Sequence, residues 1–415
     1  MTMSRESLDT AGTPRGRRPL VSLSGGTLVL MAALAYAVVV GYGARHGLLY
    51  VLGIGCGFTL YQARFGFSAV FLHPAEAGHG QAVYAHALML AVASLLFAPL
   101  LAHAPAAFGL HPHGFVYPIG AGVVGGAFLF GVGVQLGGAC TAGTLYDIGG
   151  GYVAMLLTLA GFAGGAVLGA WHWRFWTHDL PSAPPVSLAQ GPWGYGGALL
   201  MQLAALALVV LVRAVVARRH PAPPSAPRAP RAARRPWSIG RVRRPWPLWA
   251  GAVLLAALNA LTLLVKGAPW GITAAFTLAG SQLAAALGAP VASWAYWSGA
   301  RAGALRAPLL ADATAVMDAG LVLGALLAAA LAGTFTLRRP IAWPTAFAAV
   351  GGGVLMGYGA VLADGCTIGG YFGGIASFSL HGWVWAAAAF VGSYAGGHLV
   401  ARMGLPVLRA RIPVW

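Results

Sequence analysis

Two stretches of the chain place a thiol and a hydroxyl where a helix must break: Gly131-Val-Gly-Val-Gln-Leu-Gly-Gly-Ala-Cys-Thr-Ala-Gly143 and Gly357-Tyr-Gly-Ala-Val-Leu-Ala-Asp-Gly-Cys-Thr-Ile-Gly369. Each arrives at the end of an apolar run and carries glycines that let the chain turn and let another backbone come close. A helix that restarts after such a break presents unpaired N–H groups, which favour an anion. Cys140 and Cys366 add weak S–H donors, and Thr141 and Thr367 add hydroxyls. With Gly138, Gly143, Gly365 and Gly369 shaping the turns, the two stretches have the make-up of small, dry, anion-tolerant gates. The plainer reading is helix packing through glycine, with cysteine as a small buried apolar residue. That reading suits the glycines taken alone; the identical placement of both cysteines argues against it for the thiols.

The recurrence is a duplication. At an offset of 226, Val124, Gly125, Gly126, Gly131, Gly133, Leu136, Cys140, Thr141 and Gly143 fall on Val350, Gly351, Gly352, Gly357, Gly359, Leu362, Cys366, Thr367 and Gly369. A weaker match pairs Gly-Ile-Gly-Cys-Gly-Phe-Thr-Leu (53–60) with Gly-Ile-Thr-Ala-Ala-Phe-Thr-Leu (271–278). Internal repeats meeting at the bilayer midplane are a common way to build a central transport site.

The elements that must hold these segments follow from composition. Of 415 residues, 59% are hydrophobic and 8% charged, against about 25% charged in soluble domains; an ordinary soluble enzyme and a disordered chain are both excluded. Apolar runs long enough to cross a bilayer lie at approximately 27–43, 81–107, 116–138, 152–173, 194–217, 246–265, 313–337, 342–362 and 382–402. Two shorter runs, 48–72 and 270–289, are interrupted by polar residues, Gly or Pro and read as re-entrant. The expectation is an all-α polytopic membrane protein of about nine transmembrane helices plus short re-entrant helices, in two pseudo-symmetric repeats. Its parts are a polar tail (1–26), a first repeat (27–217), an Arg/Pro-rich linker (218–245), a second repeat (246–403) and a C-terminal tail (404–415).

Twenty-five Lys+Arg against eight Asp+Glu give a net charge of +17. In a soluble protein this would suggest nucleic acid; here the arginines gather in tails and connections, the positive-inside pattern of a protein embedded in a lipid bilayer. A cytoplasmic linker with both short runs re-entrant makes the repeats inverted and gives nine crossings, with 17 of the 25 positive residues inside but the N-terminal arginines outside. Should the first short run cross, the N-terminus returns to the cytoplasm and the count becomes ten.

Other candidates are weaker. Arg64, in Gln62-Ala-Arg-Phe-Gly-Phe-Ser68, is an arginine within an apolar segment, either functional or snorkelling to the interface. Asp147 and Asp364 are expected to cap N–H groups or pair with an arginine, or one of them to carry a coupling proton. Asp312 and Asp318 read as an N-terminal cap, and Trp171-His-Trp-Arg-Phe-Trp176 as an interfacial belt. Three scattered cysteines make neither a disulfide framework nor a zinc site, His111-Pro-His113 cannot face one metal, and no nucleotide-binding motif appears. No cofactor or metal is expected.

The two (Gly/Ala)-Cys-Thr-x-Gly segments in a duplicated membrane chain, with Ser377-Phe-Ser-Leu-His-Gly-Trp383 after the second, resemble the YeeE/YedE sulfur-transport family over roughly 45–175 and 265–403. The resemblance implies an inner-membrane transporter rather than an enzyme, taking up thiosulfate or a related small anion. It also implies a relay of the anion past Cys140 and Cys366 through S–H···S hydrogen bonds. Gln62–Ser68 resembles a further family segment in which a cysteine is expected where Gly66 stands, which reduces the relay. Alternatives are another sulfur or selenium species as cargo, or a membrane-bound thiol redox or sulfurtransfer enzyme using the same cysteines; the latter lacks a neighbouring base or cation in sequence to activate a thiolate. A soluble cytoplasmic sulfur-carrier or rhodanese-like protein is a candidate partner, and nucleic acid is not.

Overall fold

The computed structural model describes residues 20–71, 79–219, 245–337 and 342–404; the tail 1–19, nearly all of the 218–245 linker and the C-terminal tail from 405 lie outside them. Among the described residues the one sheet is a two-residue antiparallel pair, Ile119–Gly120 with Ser182–Ala183. The helices are α1 (Val21–Tyr42), α2 (Ala44–Ala63), α3 (His79–His103), α4 (Ala121–Gly137), α5 (Thr141–Gly149), α6 (Met155–Trp171), α7 (Gly194–Arg219), α8 (Leu248–Lys266), α9 (Thr273–Ala286), α10 (Ala313–Ala332) and α11 (Trp343–Leu362). A π-helical stretch, Thr367–Gly373, then leads through α12 (Gly374–Ala376) to α13 (Leu380–Arg402).

Among the described residues, eight helical segments are long and apolar enough to cross a membrane, and the shorter apolar α6 joins them. In α1 and α7 most residues of the apolar window face outward rather than into the protein, a surface that hydrocarbon covers and water would not. The molecule is an all-α polytopic membrane protein.

The repeat is visible in how glycines bring backbones together. A Cβ on Gly133 would lie 2.6 Å from Gly352 O and 2.7 Å from Met356 N; a Cβ on Gly359 would meet Gly126 O and, at 2.8 Å, Phe130 N. Adding 226 to the α4 residue and subtracting it from the α11 residues turns one contact set into the other. Early α4 (Gly126) meets late α11 (Gly359), and late α4 (Gly133) meets early α11 (Gly352), so the two helices are antiparallel. A two-fold axis that exchanges antiparallel helices runs across them, in the membrane plane, which makes the repeats inverted. The flanking pairs obey the same operation: Gly131 of α4 meets Ala389 and Ser393 of α13, and Gly357 of α11 meets Phe162 and Ala166 of α6. Each of these pairs is parallel.

The re-entrant reading applies to the second short run. After α8 the chain turns at Gly267 (φ 79°) and folds back until Trp270 N donates to Asn259 Oδ1 at 2.8 Å, two turns below the helix end, before α9 begins. The first run instead forms α2, 20 residues or about 30 Å long, enough to cross; it lies parallel to α10 with Gly53 against Met317 and Gly57 against Leu321. The interruption there falls at its end, at Arg64.

This settles how the helix ends are grouped. Trp246 N, at the end of the linker, bonds Gln62 O at the end of α2, and Leu20 N bonds Ala330 O at the end of α10, so the first helix starts on the linker face. On the opposite face Arg45 donates to Val265 O (3.0 Å) and Lys266 O (3.1 Å). Among the described residues, Arg45, Arg174, Lys266, Arg301 and Arg306 belong to segments on this opposite face, and Arg64, Arg213, Arg218, Arg219 and Arg402 to segments on the linker face. Because α2 runs from one face to the other, the start of α1 shares the linker face.

Candidate functional site

Each glycine-cysteine segment closes a long helix and starts a new one inside the protein. Gly138 ends α4 in the left-handed region (φ 84°); Asp364, its partner at an offset of 226, does the same after α11 (φ 55°), a conformation that Asp tolerates better than most side chains. Cys140 then caps α5, its Sγ accepting from Gly143 N at 3.4 Å. Cys366 occupies the equivalent N-cap position before Thr367, with Ile368 N and Gly369 N directed at its Sγ. The exposed carbonyls of each break are taken up by side chains of the following long helix. Thr158 Oγ1 donates to Gly137 O (3.2 Å); Trp385 Nε1 donates to Gly365 O (3.0 Å) and His381 Nε2 pairs with Ala363 O (3.1 Å). Gln202 Nε2 of α7 supports α12 by donating to Ile375 O at 2.9 Å.

Folding back brings the two breaks together. Cys140 and Cys366 are electrostatic neighbours, and Thr367 Oγ1 faces Cys140 Sγ; Thr273 Oγ1, from the re-entrant α9, faces Cys366 Sγ. Both cysteines and Thr367 are fully buried, and Thr141 nearly so. The hydroxyls of Thr141, Thr273 and Thr367 have no hydrogen-bond partner, although a buried hydroxyl left unpaired is costly. Two helix N-termini, two thiols and three unpartnered hydroxyls therefore converge on one place.

The Gln62–Ser68 segment joins the same place. Arg64 ends α2 in the left-handed region (φ 49°), Ser68 N is directed at Cys140 Sγ, and a Cβ on Gly66 would find nothing nearer than 3.9 Å, with Tyr146 OH at 4.0 Å. Tyr146 is in turn an electrostatic neighbour of Asp147, Cys140, Arg64 and Tyr61. The opposite face carries a matching set: Tyr117 neighbours Asp364, Arg301 and Tyr296, and the Arg301 guanidinium lies over the rings of Tyr296 (4.4 Å) and Trp173 (5.3 Å). Each mouth thus combines one arginine, one aspartate and two tyrosines.

Of the residues singled out in the sequence, Cys140, Cys366, Thr141 and Thr367 stand at the two breaks, Gly138, Gly143, Gly365 and Gly369 belong to the same segments, and Arg64 and Gly66 lie on the segment that reaches Cys140. Thr273 was missed, although it stands in the weaker repeat match at 271–278, and Ser68 contributes a backbone group that no side-chain pattern announces. Asp312 is a cap, its Oδ1 accepting from Thr314 N and Ala315 N at 2.9 Å. Asp318 is not: it lies one turn inside α10, buried, with neither oxygen hydrogen-bonded. The aromatic run after α6 does more than line an interface, since His172 Nδ1 and Trp176 Nε1 both bond Tyr358 OH, at 2.6 and 2.8 Å. Among the described residues no group of three or more His, Cys, Asp or Glu is placed to hold a metal ion.

Comparison with known proteins agrees with this architecture. A family model described as sulphur transport matches residues 62–395, from the segment beside Arg64 to the middle of α13. The chain is 33% identical over 169 residues to the probable transporter YedE of Salmonella typhimurium, a match that spans 40% of this chain and 40% of that protein. It is 27% identical over 277 residues to the thiosulfate transporter TsuA of Spirochaeta thermophila, 65% of this chain and 74% of that protein. Because the family pattern runs through both thiol-bearing breaks and the helices that hold them, the chain belongs to the sulphur transport family.

Proposed function

We propose that the chain takes up a small sulfur-containing anion, thiosulfate or a close relative, across the inner (plasma) membrane into the cytoplasm, passing it between Cys140 and Cys366. The observation that carries this reading is the convergence of two helix N-termini and two buried thiols with three unpartnered hydroxyls near the repeat axis. A dianion in hydrocarbon without partners is prohibitively unstable; helix N-termini directed at an anionic group are how inverted-repeat transporters offset that. S–H groups suit a sulfur anion because they are weak donors, binding firmly enough to admit it and loosely enough to let it leave.

The arginine-rich sequence of the linker supports placing the face it joins in the cytoplasm, and the similarity to a thiosulfate transporter supports the cargo. A soluble sulfur-carrier or rhodanese-like acceptor would then receive the sulfur on the linker face. The test is uptake of labelled thiosulfate into vesicles reconstituted with the purified protein. Uptake that is saturable and lost in Cys140→Ala and Cys366→Ala, with both variants folded, is the expected result; equal uptake in the variants removes the thiol role, and a stable persulfide on either cysteine points to sulfurtransfer instead.

A further inference from the structure

Asp318 has no part in the site as built so far. It lies in the second turn of α10, 5% exposed, and neither carboxylate oxygen has a hydrogen-bond partner. The titratable and charged groups facing it come from four elements: Lys266 at the end of α8, Asp312 at the cap of its own helix, Cys56 on α2 and Cys366 after α11. Arg45 stands behind Lys266, held on the α8 carbonyls. The Lys266 ammonium does not close on Asp318; it donates to Thr314 Oγ1 at 3.0 Å, one turn nearer the face opposite the linker. A polar file thus runs from Asp312 and Lys266 at that face, past Thr314, to Asp318 and on to Cys366 with its unpartnered Thr273.

We propose that Asp318 is a proton-carrying site that couples movement of the anion past Cys366 to movement of a proton. An ionised carboxylate so placed is strongly disfavoured by desolvation and would repel an anion arriving at Cys366. Its protonated form removes both penalties and supplies an O–H donor. The proton enters from the face opposite the linker along the Asp312, Lys266 and Thr314 file and binds the carboxylate as the anion enters. It leaves once the anion has gone on, restoring the carboxylate for the next cycle. This proposal rests on the reading of the chain as an anion transporter.

Two measurements on the full-length protein test it. In vesicles, thiosulfate uptake by the unaltered protein should fall by about tenfold per pH unit on the alkaline side, the slope of one required proton, while Asp318→Asn, a neutral isostere, keeps uptake but loses that slope; Asp318→Glu should restore a slope at a displaced midpoint. A slope unchanged in Asp318→Asn overturns the proposal and leaves thiosulfate transport standing. Independently of cargo, the infrared spectrum at neutral pH should contain a protonated carboxyl C=O band that is absent from Asp318→Asn; the same band in both proteins refutes the assignment even where no uptake of thiosulfate is seen.

Discussion

Replacing Gly133 by alanine puts a methyl carbon 2.6 Å from Gly352 O and 2.7 Å from Met356 N, about 0.8 Å inside the 3.4 Å at which ordinary contact begins. Both opposing atoms are backbone, so neither a rotamer change nor the end of a flexible side chain relieves the overlap, and α4 must move away from α11. Overpacking of this kind costs about 3 kcal/mol, a factor of about a hundred in the folded population. The two-fold relation makes a further demand: Gly359→Ala, which sets a methyl still closer to Gly126 O and 2.8 Å from Phe130 N, should cost at least as much. Gly351, next in sequence to a seam residue, has nothing within 4 Å of its Cβ position, and Gly351→Ala should be neutral or stabilise the helix by up to about 1 kcal/mol. Unfolding midpoints of the three variants in one detergent, with uptake measured alongside, provide the assay. Equal behaviour of Gly351→Ala and Gly133→Ala, or a Gly359→Ala variant as stable as the unaltered protein, would refute the seam and its symmetry.

Gly66→Cys should fold normally, because the nearest atom to its Cβ lies 3.9 Å away, and should raise thiosulfate uptake; unchanged uptake would count against Gly66 as a weakened step in the relay. Thr158→Val leaves Gly137 O unpaired and Trp385→Phe does the same to Gly365 O, so each should destabilise by about 1–3 kcal/mol and lower uptake by loosening one break, as thermal unfolding and vesicle uptake will show. Millimolar thiosulfate should slow alkylation of Cys140 and Cys366 by a small membrane-permeant reagent, whereas Cys56, which lies within α2 rather than at a break, should be protected less; identical protection of all three would place the anion elsewhere.

The sequence was most legible where the physics is local. Apolar length marked most of the long helices, and the repeat located both breaks because a Cys-Thr-x-Gly pattern at the end of a glycine-rich apolar run has few other reasons to occur twice. What sequence spacing could not convey was the folding back that makes Cys140 and Cys366 neighbours although they stand 226 positions apart, since this depends on antiparallel packing of α4 and α11. The run 48–72 misled because its polar residues, Gln62 and Arg64, cluster at one end; averaged over the run they resemble a break, whereas in place they mark an exit from the membrane. Asp318 resembled a cap because Asp312 is one, and six residues of helix separate an interface from an interior.

The seam between α4 and α11 has one more implication. On the proposed pathway, a two-fold axis in the membrane plane would give an ion at the cysteine pair closely similar surroundings whichever way it came, so the duplicated frame would not set the direction of flow. Net direction would then come from the gradients across the bilayer and from the groups the duplication did not copy, among them Asp318, which the offset of 226 sets against the apolar Val92, and Gly66. Evolution could then retune or reverse the traffic by altering such unpaired residues while leaving the duplicated frame untouched.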